Sequence, residues 1–144
     1  MEKVKVLFVC IHNSARSQMA EAFLNKLGGD RFQAESAGLG PGPLNPLAVE
    51  VMREIGIDIS QKKTKSVFDL YKQGRLFSHV VTVCEEADAQ KCPIFPGFAL
   101  PHHWSVRDPA QLPGTHAEQL SGTRIIRDEI EAKVKEFIAE FSKT

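Results

Sequence analysis

A short apolar strand that runs directly into a cysteine-bearing loop and then a helix is the feature that most constrains this chain. Residues 6–9 are Val-Leu-Phe-Val, Cys10 follows at once, and Arg16 and Ser17 open a helical pattern. A loop between a parallel strand and a helix N-terminus points its backbone N–H groups into one concavity, which suits a tetrahedral oxyanion. Thiolates are also stabilised at the positive end of a helix. The stretch therefore predicts an α/β protein with a nucleophilic Cys10 beside an oxyanion site.

The loop supplies further groups that suit this chemistry. Arg16 carries a planar guanidinium that grips two oxygens of an oxyanion. Asn13 tolerates the left-handed backbone that a tight anion loop requires, and Ser17 can donate a hydrogen bond to a Cys10 thiolate. The alternative, a buried apolar Cys10 with a solvated Arg16, leaves these neighbours unexplained. The predicted oxyanion-binding residues are Ile11, His12, Asn13, Ser14, Ala15 and Arg16.

Strand and helix patterns alternate along the chain. Strands are predicted at residues 3–9, 32–37, 79–83 and about 98–104, and helices at residues 17–27, 45–55, 66–72, 85–91 and 117–141. Pro101 confines the last strand to an edge or shortens it. Such alternation predicts a parallel sheet with helices on both faces. Since Cys10 and Cys84 both follow predicted strands, we expect them at the same edge of that sheet, where ligands bind.

The composition excludes several functional classes. The chain of 144 residues has no repeat or linker, which predicts one domain over residues 1–144. Its 18 Lys and Arg balance 18 Asp and Glu, so nothing predicts a nucleic acid or membrane partner. The apolar run after Lys5 is too short for a signal peptide, which predicts a cytoplasmic protein. Three cysteines there indicate reactive thiols rather than a disulfide framework.

Asp108-Pro109 is the second chemical element of the sequence. A proline holds the preceding residue in an extended conformation. From there Asp108 can reach over the loop and protonate a departing oxygen as a general acid. A simple turn at Asp-Pro is the alternative, and the pattern alone does not separate the two.

Several segments of the sequence resemble those of a known family. Residues 6–23 look like the start of the arsenate reductases that share the low-molecular-weight protein tyrosine phosphatase fold. The resemblance continues at residues 35–38 (Glu-Ser-Ala-Gly), 56–60 (Gly-Ile-Asp-Ile-Ser), 80–84 (Val-Val-Thr-Val-Cys) and 104–110 (Trp-Ser-Val-Arg-Asp-Pro-Ala). It implies a three-layer fold in which a four-stranded parallel sheet is flanked by helices. It also implies that Asp108 is the general acid.

The pair Cys84 and Cys92 distinguishes reduction from hydrolysis. A phosphatase needs one thiolate and water, whereas a reductase needs electrons that thiols supply by exchange. The resemblance to thioredoxin-coupled reductases implies that Cys10 attacks arsenate and that Cys84 attacks the adduct and releases arsenite. Cys92 then resolves the disulfide, and thioredoxin reduces the resulting Cys84–Cys92 bond. The expected function is thioredoxin-dependent arsenate reduction, with arsenate as substrate and no cofactor.

Other functions stay open at this stage. A low-molecular-weight protein tyrosine phosphatase uses the same loop and aspartate, although Ala110 stands where such enzymes usually carry an aromatic residue. A non-catalytic anion sensor is a third possibility, and glutaredoxin is an alternative reductant. A zinc site on Cys84, Cys92, His102 and His103 matches no familiar ligand spacing.

The sequence departs from the family at three places. His12 replaces the usual glycine, and Ala15 replaces a cysteine of many relatives. Some relatives bind potassium near the loop, and here Lys65 stands where an acidic ligand is expected, so its ammonium is expected to replace the ion beside Asn13, Glu21 and Ser36. The wider cluster of basic residues is expected to be a solvated face, and consists of Lys62, Lys63, Lys65 and Arg75.

Overall fold

The central element of the fold is a four-stranded parallel sheet. In the computed structural model, which describes residues 2–85 and 99–141, the strands are β1 (Val4–Cys10), β2 (Phe32–Gly38), β3 (His79–Val83) and β4 (Leu100–Trp104). Their order is β2-β1-β3-β4, and every neighbouring pair is parallel. The predicted fold class is confirmed, and Pro101 lies in the edge strand β4, as a residue without an N–H requires.

Helices cover both faces of this sheet. They are α1 (Arg16–Gly28), α2 (Pro46–Arg53), α3 (Val67–Lys72) and α4 (His116–Phe141), with a 3₁₀ turn at Pro109–Gln111. The predicted helix over residues 85–91 falls almost entirely outside the described residues. Helix α2 begins as predicted, because the Asn45 side chain accepts from the Leu47 N–H at 2.8 Å.

The core has two parts, one on each face of the sheet. Phe8 of β1 packs with α1, α2 and α4 on one face, and Leu7 of the same strand packs with α3 on the other. Both side chains are fully buried, which confirms β1 as a strand covered on both faces. The carboxyl end of β1, where Cys10 lies, is therefore enclosed between the two parts of the core.

A histidine pair lies at the opposite end of β3. His79 Nδ1 and His102 Nε2 are 2.9 Å apart, and both rings contact Phe137 and Phe141 of α4. Burial lowers the pKa of both histidines, and the proximity of His102 lowers the pKa of His79 further. Burial therefore favours the neutral form of both rings, and the Glu140 carboxylate opposes this effect in part.

His102 and His103 do not converge on one metal position. His103 Nδ1 lies 2.9 Å from Thr82 Oγ1, whereas His102 contacts His79, because successive side chains of a strand point to opposite faces. No group of three His, Cys, Asp or Glu residues that could hold a metal ion occurs in residues 2–85 and 99–141. In the same residues, no helix is long and apolar enough to cross a membrane.

Candidate active site

The loop after β1 has the geometry of an anion cradle. Cys10 is the last residue of β1 and is buried, and Arg16 is the first residue of α1. Asn13 adopts φ 54°, the left-handed conformation predicted for it. The backbone N–H groups of residues 11–16 donate to no acceptor among the described residues. These N–H groups and the positive end of α1 can therefore bind an oxyanion.

A hydrogen-bond chain behind the loop orients Ser17 toward Cys10. Asn13 Oδ1 accepts from the backbone N–H of Lys65 at 3.0 Å and from Gln18 Nε2 at 3.1 Å. The Asn13 amide must then present Nδ2 to Ser17, where it donates to Oγ at 2.7 Å. Since Ser17 Oγ accepts that bond, its own proton is available for Cys10 Sγ, 2.9 Å away. The structure thus brings together the serine and the cysteine that were paired from the sequence.

The segment after β2 supports the loop from outside. Three backbone N–H groups of this segment donate to carbonyl oxygens of residues 10–12, at distances between 2.8 and 3.0 Å. A Cβ atom at Gly38 would lie 2.7 Å from the backbone nitrogen of Asn13. The two segments therefore approach closely only because residue 38 is glycine.

His12, which replaces the family glycine, joins this contact. Its Nδ1 lies 3.0 Å from the carbonyl oxygen of Gly40, so the ring donates there. The same ring lines an open cavity of about 380 Å³ together with Ser14, Leu44, Asn45 and Ala110. The histidine side chain therefore adds a hydrogen bond between the loop and residues 38–42.

Arg16 connects the loop to the segment that carries Asp108. Its Nη1 donates to the Val106 carbonyl oxygen at 3.0 Å, and its Nη2 lies 3.7 Å from Asp108 Oδ2. Asp108 Oδ1 accepts from the Ala110 N–H at 2.9 Å, which caps the 3₁₀ turn. Arg16 is almost fully buried, so the guanidinium is held firmly between the loop and the aspartate. Asp108 thus lies beside the site, as the sequence predicted.

Cys84 lies at the same edge of the sheet as Cys10. Strands β1 and β3 are parallel neighbours with Val9 opposite Thr82, and each cysteine comes at or just after the strand end. Both side chains are buried, and no disulfide joins them. The expected placement of these two thiols is confirmed. Cys92, the third thiol, lies outside the described residues.

The potassium site implied by the resemblance does not fit this chain. Glu21 Oε2 already accepts from Lys62 Nζ at 2.8 Å, and its Oε1 accepts from Ser36 Oγ at 2.9 Å. The expectation that Lys65 supplies the replacing ammonium is wrong, because Lys65 Nζ lies 3.4 Å from Glu35 instead. The ammonium that lies beside Glu21 is that of Lys62.

The basic cluster is exposed to solvent, as the sequence predicted, with side-chain exposures of 42% for Lys62 and 39% for Lys65, but its members also form ion pairs. Lys62 pairs with Glu21, and Lys65 and Arg75 both pair with Glu35.

The roles of Lys62 and Gln18 were not predicted from the sequence. Gln18 Nε2 contacts Asn13 Oδ1 and the Lys63 carbonyl oxygen. A signal existed for Gln18, since a polar residue on the buried face of α1 must find partners. No such sequence signal distinguished Lys62, because it lies among other lysines.

Known proteins are similar to this chain in sequence and architecture. Residues 5–144 match the family described as low molecular weight phosphotyrosine protein phosphatase. An arsenate reductase of Bacillus subtilis (strain 168) is 41% identical over 138 residues, which cover 95% of this chain and 96% of the relative. A solved arsenate reductase in the phosphate binding state gives a TM-score of 0.76 at 29% identity, covering 95% of this chain and 98% of that chain. A thioredoxin-dependent arsenate reductase of Corynebacterium glutamicum gives a TM-score of 0.74 at 26% identity, over 97% of this chain and 62% of that chain.

Proposed function

The chain belongs to the low molecular weight phosphotyrosine protein phosphatase family, and we propose that within this family it reduces arsenate to arsenite. The observation that carries the proposal is the position of Cys84. The parallel pairing of β1 and β3 puts this second buried thiol at the edge of the sheet that holds Cys10. Hydrolysis of a phosphate ester has no use for such a thiol, whereas reduction requires one. The relatives named above as arsenate reductases support the same activity.

The first step is attack of the Cys10 thiolate on arsenic. A sulfur–arsenic bond forms and an oxygen leaves as water, with Asp108 as the proton donor. The backbone N–H groups of residues 11–16 and the Arg16 guanidinium bind the remaining oxygens. Ser17, which accepts from Asn13, donates to the Cys10 sulfur before attack and so holds this sulfur in position.

The second step transfers two electrons to arsenic. The Cys84 thiolate attacks Cys10 Sγ, the sulfur–arsenic bond breaks, and its electron pair stays on arsenic, which leaves as arsenite. A Cys10–Cys84 disulfide remains. Cys92 then attacks Cys84 and frees Cys10, and a thioredoxin dithiol reduces the resulting Cys84–Cys92 disulfide in the cytoplasm. The thioredoxin dependence of the Corynebacterium relative supports this choice of reductant.

Arsenate-dependent oxidation of NADPH in the presence of thioredoxin and its reductase tests the proposal. We expect each of Cys10→Ser, Cys84→Ser and Cys92→Ser to abolish turnover. After one equivalent of arsenate, Cys92→Ser is expected to hold a Cys10–Cys84 disulfide, detected by mass spectrometry of peptides. Full turnover by Cys92→Ser would disprove the relay, and glutaredoxin in place of thioredoxin tests the reductant.

Two parallel measurements separate this activity from its alternatives. Aryl phosphate hydrolysis is expected to be weak, because phosphate shares the shape and charge of arsenate but Ala110 offers no aromatic surface beside Asp108. Hydrolysis that exceeds arsenate reduction and persists in Cys84→Ser would identify a phosphatase. Phosphate binding without turnover in either assay would identify an anion sensor.

A further inference from the structure

We propose that Lys62 is a positioning residue whose ammonium acts as a built-in cation behind the anion loop, so that the site works without a bound monovalent cation. The site concerned is the oxyanion site of the proposed reductase, and the inference rests on that function. Lys62 touches neither substrate nor Cys10. It acts through a short segment, residues 62–65, that contacts the back of the loop.

The ammonium neutralises a buried carboxylate. The Glu21 side chain on α1 is 8% exposed, and its Oε2 lies 2.8 Å from Lys62 Nζ. Ser36 of β2 donates to the other carboxylate oxygen at 2.9 Å. A buried carboxylate without a counter-charge is strongly unfavourable, and Lys62 is the cation that pairs with Glu21 among the described residues. The ion pair therefore fixes residue 62 against α1 and β2.

Fixing residue 62 also fixes the groups that orient Asn13. The Lys63 carbonyl oxygen accepts from Gln18 Nε2 at 3.2 Å, and the Lys65 N–H donates to Asn13 Oδ1 at 3.0 Å. The Lys65 carbonyl oxygen in turn accepts from the Gly38 N–H at 2.8 Å. Asn13 passes this constraint to Ser17, which contacts the reacting sulfur.

Removal of the ammonium leaves a set of oxygen ligands for a small cation. Glu21 Oε1 and Oε2 and Ser36 Oγ remain close together in a largely buried position, and hard cations prefer oxygen ligands of this kind. Lys65 does not replace the lost charge, because its ammonium lies beside Glu35. A potassium ion is therefore expected to restore in a variant what Lys62 supplies in the natural chain.

The test compares the natural chain, Lys62→Met and Lys72→Met in KCl and in choline chloride at equal ionic strength. Lys72→Met removes an equal charge from an exposed position on α3. Thermal unfolding, phosphate binding by calorimetry and the arsenate KM are measured. The natural chain and Lys72→Met are expected to behave alike in both salts. Lys62→Met is expected to bind phosphate about tenfold more weakly in choline chloride and to recover most of this loss in KCl, with a parallel rise in melting temperature.

Three results would overturn the inference. The first is an increase in the melting temperature or phosphate affinity of the natural chain in KCl, equal to the increase expected for Lys62→Met. Another is a Lys62→Met variant indistinguishable from Lys72→Met, and the third is a Lys62→Met variant weakened equally in both salts. Unfolding and phosphate binding do not depend on redox turnover. Failure of arsenate reduction in every protein, the natural chain included, would therefore count against the proposed function and leave these two readouts intact.

Discussion

The Nδ2 group of Asn13 donates to Ser17 Oγ at 2.7 Å, which leaves the Ser17 proton directed at Cys10 Sγ. This relationship makes Ser17 a donor to the nucleophile rather than a competitor for its proton. Hydrogen bonds to charged groups contribute about 1.5–3 kcal/mol, so the removal of this one has a measurable effect on the chemistry of Cys10.

Ser17→Ala is therefore expected to lower kcat/KM for arsenate by roughly 10-fold to 100-fold. The rate at which iodoacetamide alkylates Cys10 at neutral pH should fall as well, measured by mass spectrometry of the Cys10 peptide. Ser78→Ala is the matched control, because it removes the same hydroxyl from an exposed position. Unchanged alkylation of Cys10 in Ser17→Ala would contradict the role assigned to this hydroxyl.

Asp108→Asn is expected to lower kcat for arsenate reduction by about 10²-fold or more, the usual contribution of a general acid. Phosphate binding should be nearly retained, because an Asn side chain still accepts from the Ala110 N–H. Asp58→Asn is a suitable control, since Asp58 Oδ1 accepts from the Ser60 N–H at 2.9 Å in a similar exposed turn. Equal losses in the two variants would mean that Asp108 serves only as a cap.

Gly38→Ala is expected to displace the anion loop. The new Cβ would lie 2.7 Å from the Asn13 nitrogen and 2.8 Å from the His12 carbonyl carbon, and backbone atoms cannot move away as a side-chain tip can. A loss of about 1–3 kcal/mol in the free energy of unfolding is expected, together with weaker phosphate binding. Gly40→Ala is the control, because a Cβ at this position has nothing within 4 Å. Urea unfolding and phosphate titration should therefore show a loss in Gly38→Ala and little change in Gly40→Ala.

Stability is expected to fall with acidification because of the pair formed by His79 and His102. Burial lowers the pKa of both below the ordinary value of 6.5, so the unfolded chain takes up protons near that pH that the folded chain does not. Their contribution is fully present above pH 6.5 and is lost as pH falls through the folded-state pKa values. The Glu140 carboxylate opposes this effect in part, since it raises both pKa values.

Urea unfolding at pH 7.5 and pH 5.5 measures this dependence. The natural chain is expected to lose stability between the two, and His102→Gln is expected to lose less, because one of the two buried protonation sites is gone. The exposed His116 provides the control, and His116→Gln should retain the pH dependence of the natural chain. A steeper loss of stability in His102→Gln would show that the buried pair does not cause the effect.

Local patterns predicted most of the secondary structure. The strand over residues 79–83 has the predicted bounds, and the last helix begins one residue before the predicted start. These elements follow from apolar spacing and from caps such as Asn45, which depend on neighbours in sequence. His12 could not be explained in this way, because its partner, the Gly40 carbonyl oxygen, is 28 residues distant along the chain.

The sequence alone determined the strand, loop and helix that hold Cys10, Asn13, Arg16 and Ser17. These residues are contiguous, and the backbone geometry of a strand that turns into a helix brings them together. Only the tertiary structure decided which lysine neutralises Glu21. Lys62 and Lys65 are near neighbours in one run, and the partner of Lys62 is 41 residues away. The choice depends on how that segment crosses α1 and β2, and short-range patterns of hydrophobicity carry no information about such a crossing.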